Sequence, residues 1–211
     1  MSTGVDKIIL QRNINVICGS SMTVLEVLVR KRNAAITRAS LLSSATSRFA
    51  RDGYENVSLR EIAADVGVDV SLVSRYFGGK EELFSEVLAS TPPPDDFFVG
   101  DPRNFGERMS RKLVIEPQDN KSLDCLLIMM RSSSSPKASE AIRKSSEERF
   151  YGPFAAWLGG PDAMIRARIA SDIMKGVAID RIISDDFGLD AEQREKFRAR
   201  IARLLQAAVD V

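Results

Sequence analysis

The charged side chains between Val27 and Arg51 are all basic. This stretch carries six arginines and lysines and no aspartate or glutamate: Arg30, Lys31, Arg32, Arg38, Arg48 and Arg51. Guanidinium and ammonium groups at this density can bind the phosphates of a nucleic acid, although a basic run by itself is also typical of a solvated helix face. The whole chain has 30 basic and 29 acidic residues, so any nucleic-acid binding depends on local excess charge.

The sequence offers no constellation for catalysis. It contains no histidine, which removes the usual base for activating a serine or cysteine and the commonest metal ligand. The adjacent carboxylates of Glu147/Glu148 and Asp185/Asp186 would point about 100° apart on a helix, so neither pair shares a site. There is no P-loop and no G-x-G-x-x-G motif. We therefore predict neither an enzyme nor a cofactor or metal site.

The two cysteines, Cys18 and Cys125, have no metal-type spacing, and the chain has no apolar run as long as a membrane span. Polar residues at 11–13 interrupt the apolar residues near the N-terminus, so a secretory signal peptide is not predicted. These patterns favour a cytoplasmic protein without membrane contact. Residues 1–29 are expected to be an N-terminal extension, with Met22 as the native start.

Residues 58–79 have the signals of two short helices joined by a tight turn. Ser58 and Glu61 form a capping box, Gly67 ends the first helix, Asp69 can cap the second, and Gly78 ends it. Within the second helix, the apolar residues at 73 and 77 are expected to face inward, which leaves small polar side chains outside. This is the pattern of a helix-turn-helix, whose second helix fits the major groove.

The flanking sequence is helical as well. We expect one helix from about Arg32 to Arg51 and another over Lys80–Ala89, before three prolines near Thr91–Pro94 interrupt the chain. Beyond them, helical periodicity continues through 105–114, 122–133, 136–158, 161–184 and 191–209. The predicted fold is all-α, with a helix-turn-helix module at 30–89 and a helical bundle at 90–211.

The segment "FARDGYENVSLREIAADVGVDVSLVSRYFGGKEELFSEVL", residues 49–88, resembles the tetracycline-repressor (TetR-like) family of bacterial transcription regulators. The elements F-A-x-x-G-Y-E, S-x-x-x-I-A-x-x-x-G-V and Y-F-x-x-K-E-x-L all occur at that family's spacing. The resemblance implies a three-helix DNA-binding head at 30–89, a ligand-binding and dimerisation domain at 90–211, and a homodimeric repressor. It also implies that an apolar small molecule releases the repressor from a palindromic, double-stranded DNA operator.

The resemblance also assigns DNA contacts. It implies that Ser58 binds phosphate at the start of its helix and that Arg60 reaches a base edge or a phosphate. Beside a helix-turn-helix, the cluster at 30–32 favours a phosphate-binding arm, and Arg38 joins the DNA-binding set. The remaining implied contacts are the outward face of the recognition helix and two phosphate contacts after it: Val70, Ser71, Leu72, Ser74, Arg75, Tyr76 and Lys80.

The recognition helix departs from the family's usual residues at 70, 71, 72 and 74. Apolar Val70 and Leu72 favour contact with thymine methyl groups over hydrogen bonds to bases. The operator sequence is therefore left open. Tyr76 is expected to point its hydroxyl outward, whereas Phe77 is expected to pack in the core.

The central helices carry apolar and partly flexible side chains that suit a small apolar inducer. The same residues would also serve as ordinary core. The predicted ligand-binding set is Phe105, Met109, Leu126, Met129, Met130, Phe154 and Trp157. Asp124 and Arg131 are candidate polar contacts.

The last two helices are expected to form the homodimer interface. One apolar stripe comprises Ile165, Ile169, Ile173 and Val177, and the other comprises Phe197, Ile201, Leu204, Leu205 and Ala208. Two function classes stay open: a ligand-responsive DNA-binding repressor, or a ligand-binding or protein-interaction module whose helix-turn-helix no longer reads DNA. DNA binding to the chain's own promoter separates them.

Overall fold

The computed structural model describes residues 33–90, 97–117 and 120–211. These residues form helices and no β-strand, so the predicted all-α fold is confirmed. The helices are α1 (33–52), α2 (Leu59–Val66), α3 (Val70–Phe77), α4 (Lys80–Ala89), α5 (Phe105–Val114), α6 (Asn120–Ser132), α7 (Pro136–Ser146), α8 (Gly152–Leu158), α9 (Ala163–Ile183) and α10 (Ala191–Val209). The expected extension, Met22, the cluster at 30–32 and the prolines at 92–94 lie outside the described residues.

The ends of α2 and α3 follow local capping rules. The Ser58 hydroxyl accepts a hydrogen bond from the Glu61 backbone N–H, and the Glu61 side chain accepts one from the Ser58 backbone N–H, as a capping box requires. Gly67 then turns the chain at φ 69°, a left-handed conformation that glycine adopts without strain. The Asp69 side chain caps α3, which ends at Gly78.

The core of the helix-turn-helix head is built from one face of each of its helices. Leu41, Ala45 and Phe49 of α1 are fully buried, and Phe49 packs edge-to-face on Phe84 of α4 with ring centres 5.0 Å apart. Val73 and Phe77 hold α3 on this core. The same cluster extends into the second half of the molecule, to Ile128 of α6 and Ala138 of α7.

A second core lies among α5, α8, α9 and α10. Helices α5 and α10 approach so closely at Gly106 that a Cβ there would lie 2.1 Å from the Ala202 carbonyl oxygen. Arg166 of α9 is buried in this half, where its guanidinium donates to the carbonyls of Gly159, Pro161 and Val209. These bonds satisfy a buried charge and fix the end of α10.

The stretch expected as one helix over 136–158 is divided. A π-helical turn over Glu147–Tyr151 separates α7 from α8, and the Gly152 N–H donates to the carbonyl of Glu147, five residues earlier. Pro153 follows directly. Proline has no N–H and its ring clashes with the carbonyl four residues before it, so an α-helical register cannot pass through Arg149 unchanged.

Candidate nucleic-acid interface

Helix α3 presents a polar face to solvent. Val73 and Phe77 are buried, whereas Ser71, Ser74 and Arg75 are exposed. The burial of the two apolar side chains fixes the rotation of α3 on the head. That rotation places the hydroxyls and one guanidinium outward, where the sequence predicted them.

The other predicted residues of α3 are partly covered. Leu72 is half-buried, and Val70 and Tyr76 pack in part against the head's core. Tyr76 meets Phe77 edge-to-face, with ring centres 6.4 Å apart. The Tyr76 ring is therefore held by packing, which fixes the direction of its hydroxyl.

Ser58 and Arg60 lie at the start of α2, and both are exposed. The Ser58 hydroxyl donates to Glu61 Oε2 at 2.7 Å, and that carboxylate oxygen also accepts from the Ser58 backbone N–H at 2.8 Å. These bonds hold the pKa of Glu61 below its usual value. A phosphate bound at this helix end would have to share the hydroxyl with Glu61.

Arg38 joins three elements of the head. Its guanidinium pairs with Glu86 of α4 at 2.5 Å and lies 4.7 Å from the ring centre of Phe77 at the end of α3. This side chain therefore braces the recognition helix from behind. A direct contact between Arg38 and DNA stays a prediction.

Lys80 begins α4 beside the turn that precedes α2. Its ammonium lies 4.4 Å from the ring centre of Tyr54 and donates to the Glu55 carbonyl at 3.3 Å. Burial lowers the pKa of this lysine. The charge is thereby held near the head's surface, and contact with phosphate stays a prediction.

Two further residues of the basic run are, like Arg38, paired with acids. Arg48 binds both carboxylate oxygens of Asp65 on α2 at 2.5 and 2.7 Å, and Arg51 pairs with Asp52 at 2.7 Å. The Ser44 hydroxyl donates to the same Asp65 carboxylate. Arg48 and Ser44 therefore hold α1 against α2, whereas the Arg51 pair stays within α1. The sequence did not show the pairing of Arg48, because Asp65 is distant from it along the chain.

Four of the seven predicted ligand-binding residues come together in the second half. Phe105, Met109, Phe154 and Trp157 share one apolar cluster, in which the rings of Phe105 and Phe154 are 5.2 Å apart. Sequence reasoning did not include Phe150 in the set, although it precedes Phe154 by one helical turn. Phe150 packs on Phe97 at 5.2 Å and on Phe154 at 5.7 Å.

The three predicted residues of α6 lie elsewhere. Met130 is 45% exposed, Met129 is half-buried, and Leu126 is buried outside the two apolar clusters of the described residues. Their neighbours Leu127 and Ile128 pack with the DNA-binding head instead. The Arg131 guanidinium donates to the Ala50 carbonyl of α1, so it is engaged at the junction of the two halves.

The predicted dimer stripes divide between interior and surface. Val177, Ile201 and Leu205 are buried within the protomer, and Ile173 and Phe197 are half-buried. Ile165 of α9 is 57% exposed and Leu204 of α10 is 56% exposed. Ile169 is also exposed, so both α9 and α10 present apolar side chains to solvent.

Among the residues that the structure describes, no helix is both long and apolar enough to cross a bilayer. The same residues hold no group of cysteines and carboxylates arranged to bind a metal ion.

Comparison with known proteins gives two family matches. Residues 41–87 match the family described as bacterial regulatory proteins, tetR family. Residues 104–209, half of the chain, match the tetracyclin repressor-like C-terminal domain.

A curated relative is an HTH-type transcriptional repressor of Streptomyces coelicolor, which is 35% identical over 57 residues. That match covers 27% of this chain and 30% of the relative's length.

Solved structures share the fold. NalD of Pseudomonas aeruginosa, the secondary repressor of the MexAB-OprM multidrug efflux pump, is 21% identical with a TM-score of 0.59, covering 79% of this chain and 96% of that one. A transcriptional regulator from a Rhodococcus species is 24% identical with a TM-score of 0.57, covering 82% of this chain and 98% of that one. Because its head and its second half both match, the chain belongs to the tetR family of transcription regulators, which are DNA-binding proteins and not enzymes.

Proposed function

We propose that the chain is a homodimeric, ligand-responsive repressor that is released from a palindromic operator when an apolar small molecule binds. The observation that carries the proposal is the outer face of α3. It presents Ser71, Ser74 and Arg75 on a helix fixed from below by buried Val73 and Phe77. A short helix so held can enter the major groove as a rigid body.

Contacts to bases and to phosphates would come from different parts of the head. Arg75 is suited to a guanine edge, and half-exposed Leu72 to a thymine methyl group. The N-terminus of α2 at Ser58, with Arg60 beside it, supplies backbone N–H groups and a positive charge for phosphate. Lys80 and the hydroxyl of Tyr76 would add phosphate contacts. Phosphate contacts would thus position the head on the DNA, and α3 would contact the bases.

The apolar outer surface of α9 and α10 supports dimerisation. Exposed apolar side chains lie on both helices: Ile165 and Ile169 on α9, and Leu204 on α10. A second copy related by a two-fold axis would cover them and remove them from water. Two copies would bring two α3 helices to successive major grooves, about 34 Å apart. A palindromic operator follows from that symmetry.

The aromatic cluster supports the inducer site. Phe105, Phe154 and Trp157 meet Phe97 and Phe150 in the middle of the second half, away from α3. An apolar molecule seated among these rings would have to displace or re-pack them. It would reduce operator affinity if it bound a conformation in which the two α3 helices no longer fit successive grooves. We place both events in the cytoplasm, with the head at 30–89 and the sensing half at 90–211.

Repression is favoured over activation because the Streptomyces relative and NalD are both described as repressors. The test is a binding-site selection from random double-stranded DNA, followed by fluorescence anisotropy on the enriched sequence. We expect a palindrome bound by two protomers, and we expect Arg75→Ala to reduce the preference for that palindrome over random DNA. A pool that stays random would instead support the rival, an interaction module whose helix-turn-helix no longer reads DNA.

A further inference from the structure

The π-helical turn Glu147–Tyr151 lies between three parts of the molecule, and consecutive side chains contact each of them. Arg149 donates a hydrogen bond to the Ala89 carbonyl at the end of α4. Phe150 enters the aromatic cluster, with its ring centre 5.2 Å from that of Phe97. Tyr151 accepts a hydrogen bond from Lys175 of α9 at 3.0 Å and stacks with Arg168, whose guanidinium lies 4.5 Å from its ring centre.

The contact with α4 involves a helix end. The last four carbonyls of a helix lack partners within it, and a cation there is favoured by the helix dipole. Arg149 therefore fixes the C-terminal end of the helix whose other end carries Lys80 and packs beside α3. A displacement of Arg149 would reach the DNA-binding head through one rigid helix.

The turn itself has a local cause and an alternative geometry. Pro153 has no N–H to bond the carbonyl of Arg149, and the Gly152 N–H bonds the carbonyl of Glu147 rather than that of Glu148. A π turn holds one residue more than an α turn, so closing or moving it rotates one flank relative to the other by about 100°. Arg149 and Phe150 both lie inside this segment, so a change in its register would redirect the two side chains together.

We propose that this π turn is the relay between the aromatic cluster and the DNA-binding head, with Arg149 as its output and Phe150 as its input. The inference rests on the proposed function, because it names how occupancy of the cluster alters operator affinity. A molecule that moves the Phe150 ring shifts the register of the turn and withdraws Arg149 from Ala89. The end of α4 is then released, and the two α3 helices lose their spacing. Tyr151 carries the same shift to α9.

The test is a double-mutant cycle that needs no ligand. Operator affinity is measured by anisotropy, on the selected DNA, for wild type, Phe150→Leu, Arg149→Ala and the double variant. Phe150→Leu should change the operator Kd by roughly threefold to thirtyfold, the range typical of positions on a coupling route. The change should vanish in the Arg149→Ala background, because that variant already lacks the hydrogen bond to the Ala89 carbonyl. Arg149→Lys, which can still donate to Ala89, should restore it.

Arg143→Ala is the matched control. It removes an arginine from the preceding helix, where its guanidinium pairs with Glu140 on the surface. The effect of Phe150→Leu should persist in that background. If the effects of Phe150→Leu and Arg149→Ala simply multiply, the relay is overturned, because two unrelated losses of packing would behave in that way.

Pro153→Ala gives an independent measurement. It restores the missing N–H, so the turn should close to α-helix, and hydrogen exchange at Lys80–Ala89 should accelerate severalfold. Unchanged exchange there would also overturn the relay. A failure to select any operator counts against the proposed function alone, because the exchange experiment needs no DNA.

Discussion

The backbone N–H of Tyr54 donates a hydrogen bond to the Ser132 hydroxyl at 3.0 Å, across 78 positions of sequence. The bond is buried and joins the turn after α1 to the last residue of α6. Beside it, Gly53 has φ 76°, and a Cβ at that position would lie 2.5 Å from the Arg131 carbonyl oxygen. The DNA-binding head and the second half of the chain are therefore in close backbone contact here.

Loss of this contact should lower stability. Ser132→Ala leaves the buried N–H of Tyr54 without its acceptor, which should cost about 1–3 kcal/mol of the free energy of unfolding. Urea denaturation followed by circular dichroism measures this. The neighbouring change Ser133→Ala, at an exposed hydroxyl that bonds only the Met130 carbonyl, should have little effect. Equal losses from both changes would refute the assigned role of the bond.

Lys80→Ala should weaken binding to operator and random DNA alike. It removes one charge from the phosphate contacts, so the slope of log affinity against log salt should fall by roughly one unit. Fluorescence anisotropy over a series of salt concentrations gives the slope. Lys196→Ala is the control, since Lys196 lies on α10 and pairs with Glu192. An unchanged slope for Lys80→Ala would mean that its ammonium stays on Tyr54 when DNA binds.

Ser71→Ala and Arg75→Ala should reduce discrimination between operator and random DNA. A good base contact is worth about 1–3 kcal/mol, so the difference in binding free energy between operator and random DNA should shrink by that amount. The slope of log affinity against log salt should change less than for Lys80→Ala. Arg103→Ala, an exposed arginine paired with Asp101, should leave the difference unchanged. If Lys80→Ala alters the difference while Ser71→Ala and Arg75→Ala do not, the orientation assigned to α3 is wrong.

Leu204→Asp should disrupt the proposed dimer without unfolding the protomer. The side chain is 56% exposed, so the charge is harmless in the monomer, but dimerisation would bury it unpaired at a large cost. Sedimentation velocity should show a shift to monomer. Ile36→Asp is the matched control, because Ile36 is 57% exposed on α1, in the head. A dimer that survives Leu204→Asp places the interface elsewhere. Ile173→Asp is less informative, because Ile173 also packs in its own core.

Acid should weaken the bond between α1 and α2. Hydrogen bonds from Arg48 and Ser44 hold the pKa of Asp65 well below its usual value. A carboxyl group whose pKa is lower in the folded chain stabilises it at neutral pH, and this contribution is lost as the pH falls below about 4. Asp65→Asn should therefore reduce the urea midpoint more at pH 7 than at pH 3. Glu148→Gln, on an exposed residue, should show no such difference between the two pH values.

The parts of the fold that depend on neighbouring residues were predictable. The capping box at Ser58, the turn at Gly67 and the bounds of α4 follow from rules that act over a few positions, and each prediction is confirmed. The pairing of Arg38 with Glu86 and of Arg48 with Asp65 was not predictable in this way. Each joins residues on different helices, and only the packed head brings them together.

In the second half of the chain, too, some features follow from neighbouring residues and others depend on how the helices pack. Phe105, Phe154 and Met130 were predicted together as apolar lining; the two phenylalanines are buried, but Met130 is exposed on α6. The choice between these outcomes depends on which side of α6 meets the head, and hydrophobicity alone does not determine it. The π turn had a local signal in Pro153, which a single-helix interpretation of 136–158 overlooked.

The core of the head is completed by Ile128 and Ala138, which lie beyond the segment expected to fold as the DNA-binding module. A fragment ending at Ala89 would therefore leave part of its own interior open to water. Chimeric regulators that join this head to another member's sensing half should stay folded only when α6 and α7 are transferred with it. In evolution, a change of DNA target by exchange of heads would then carry along the helices that adjoin the sensor.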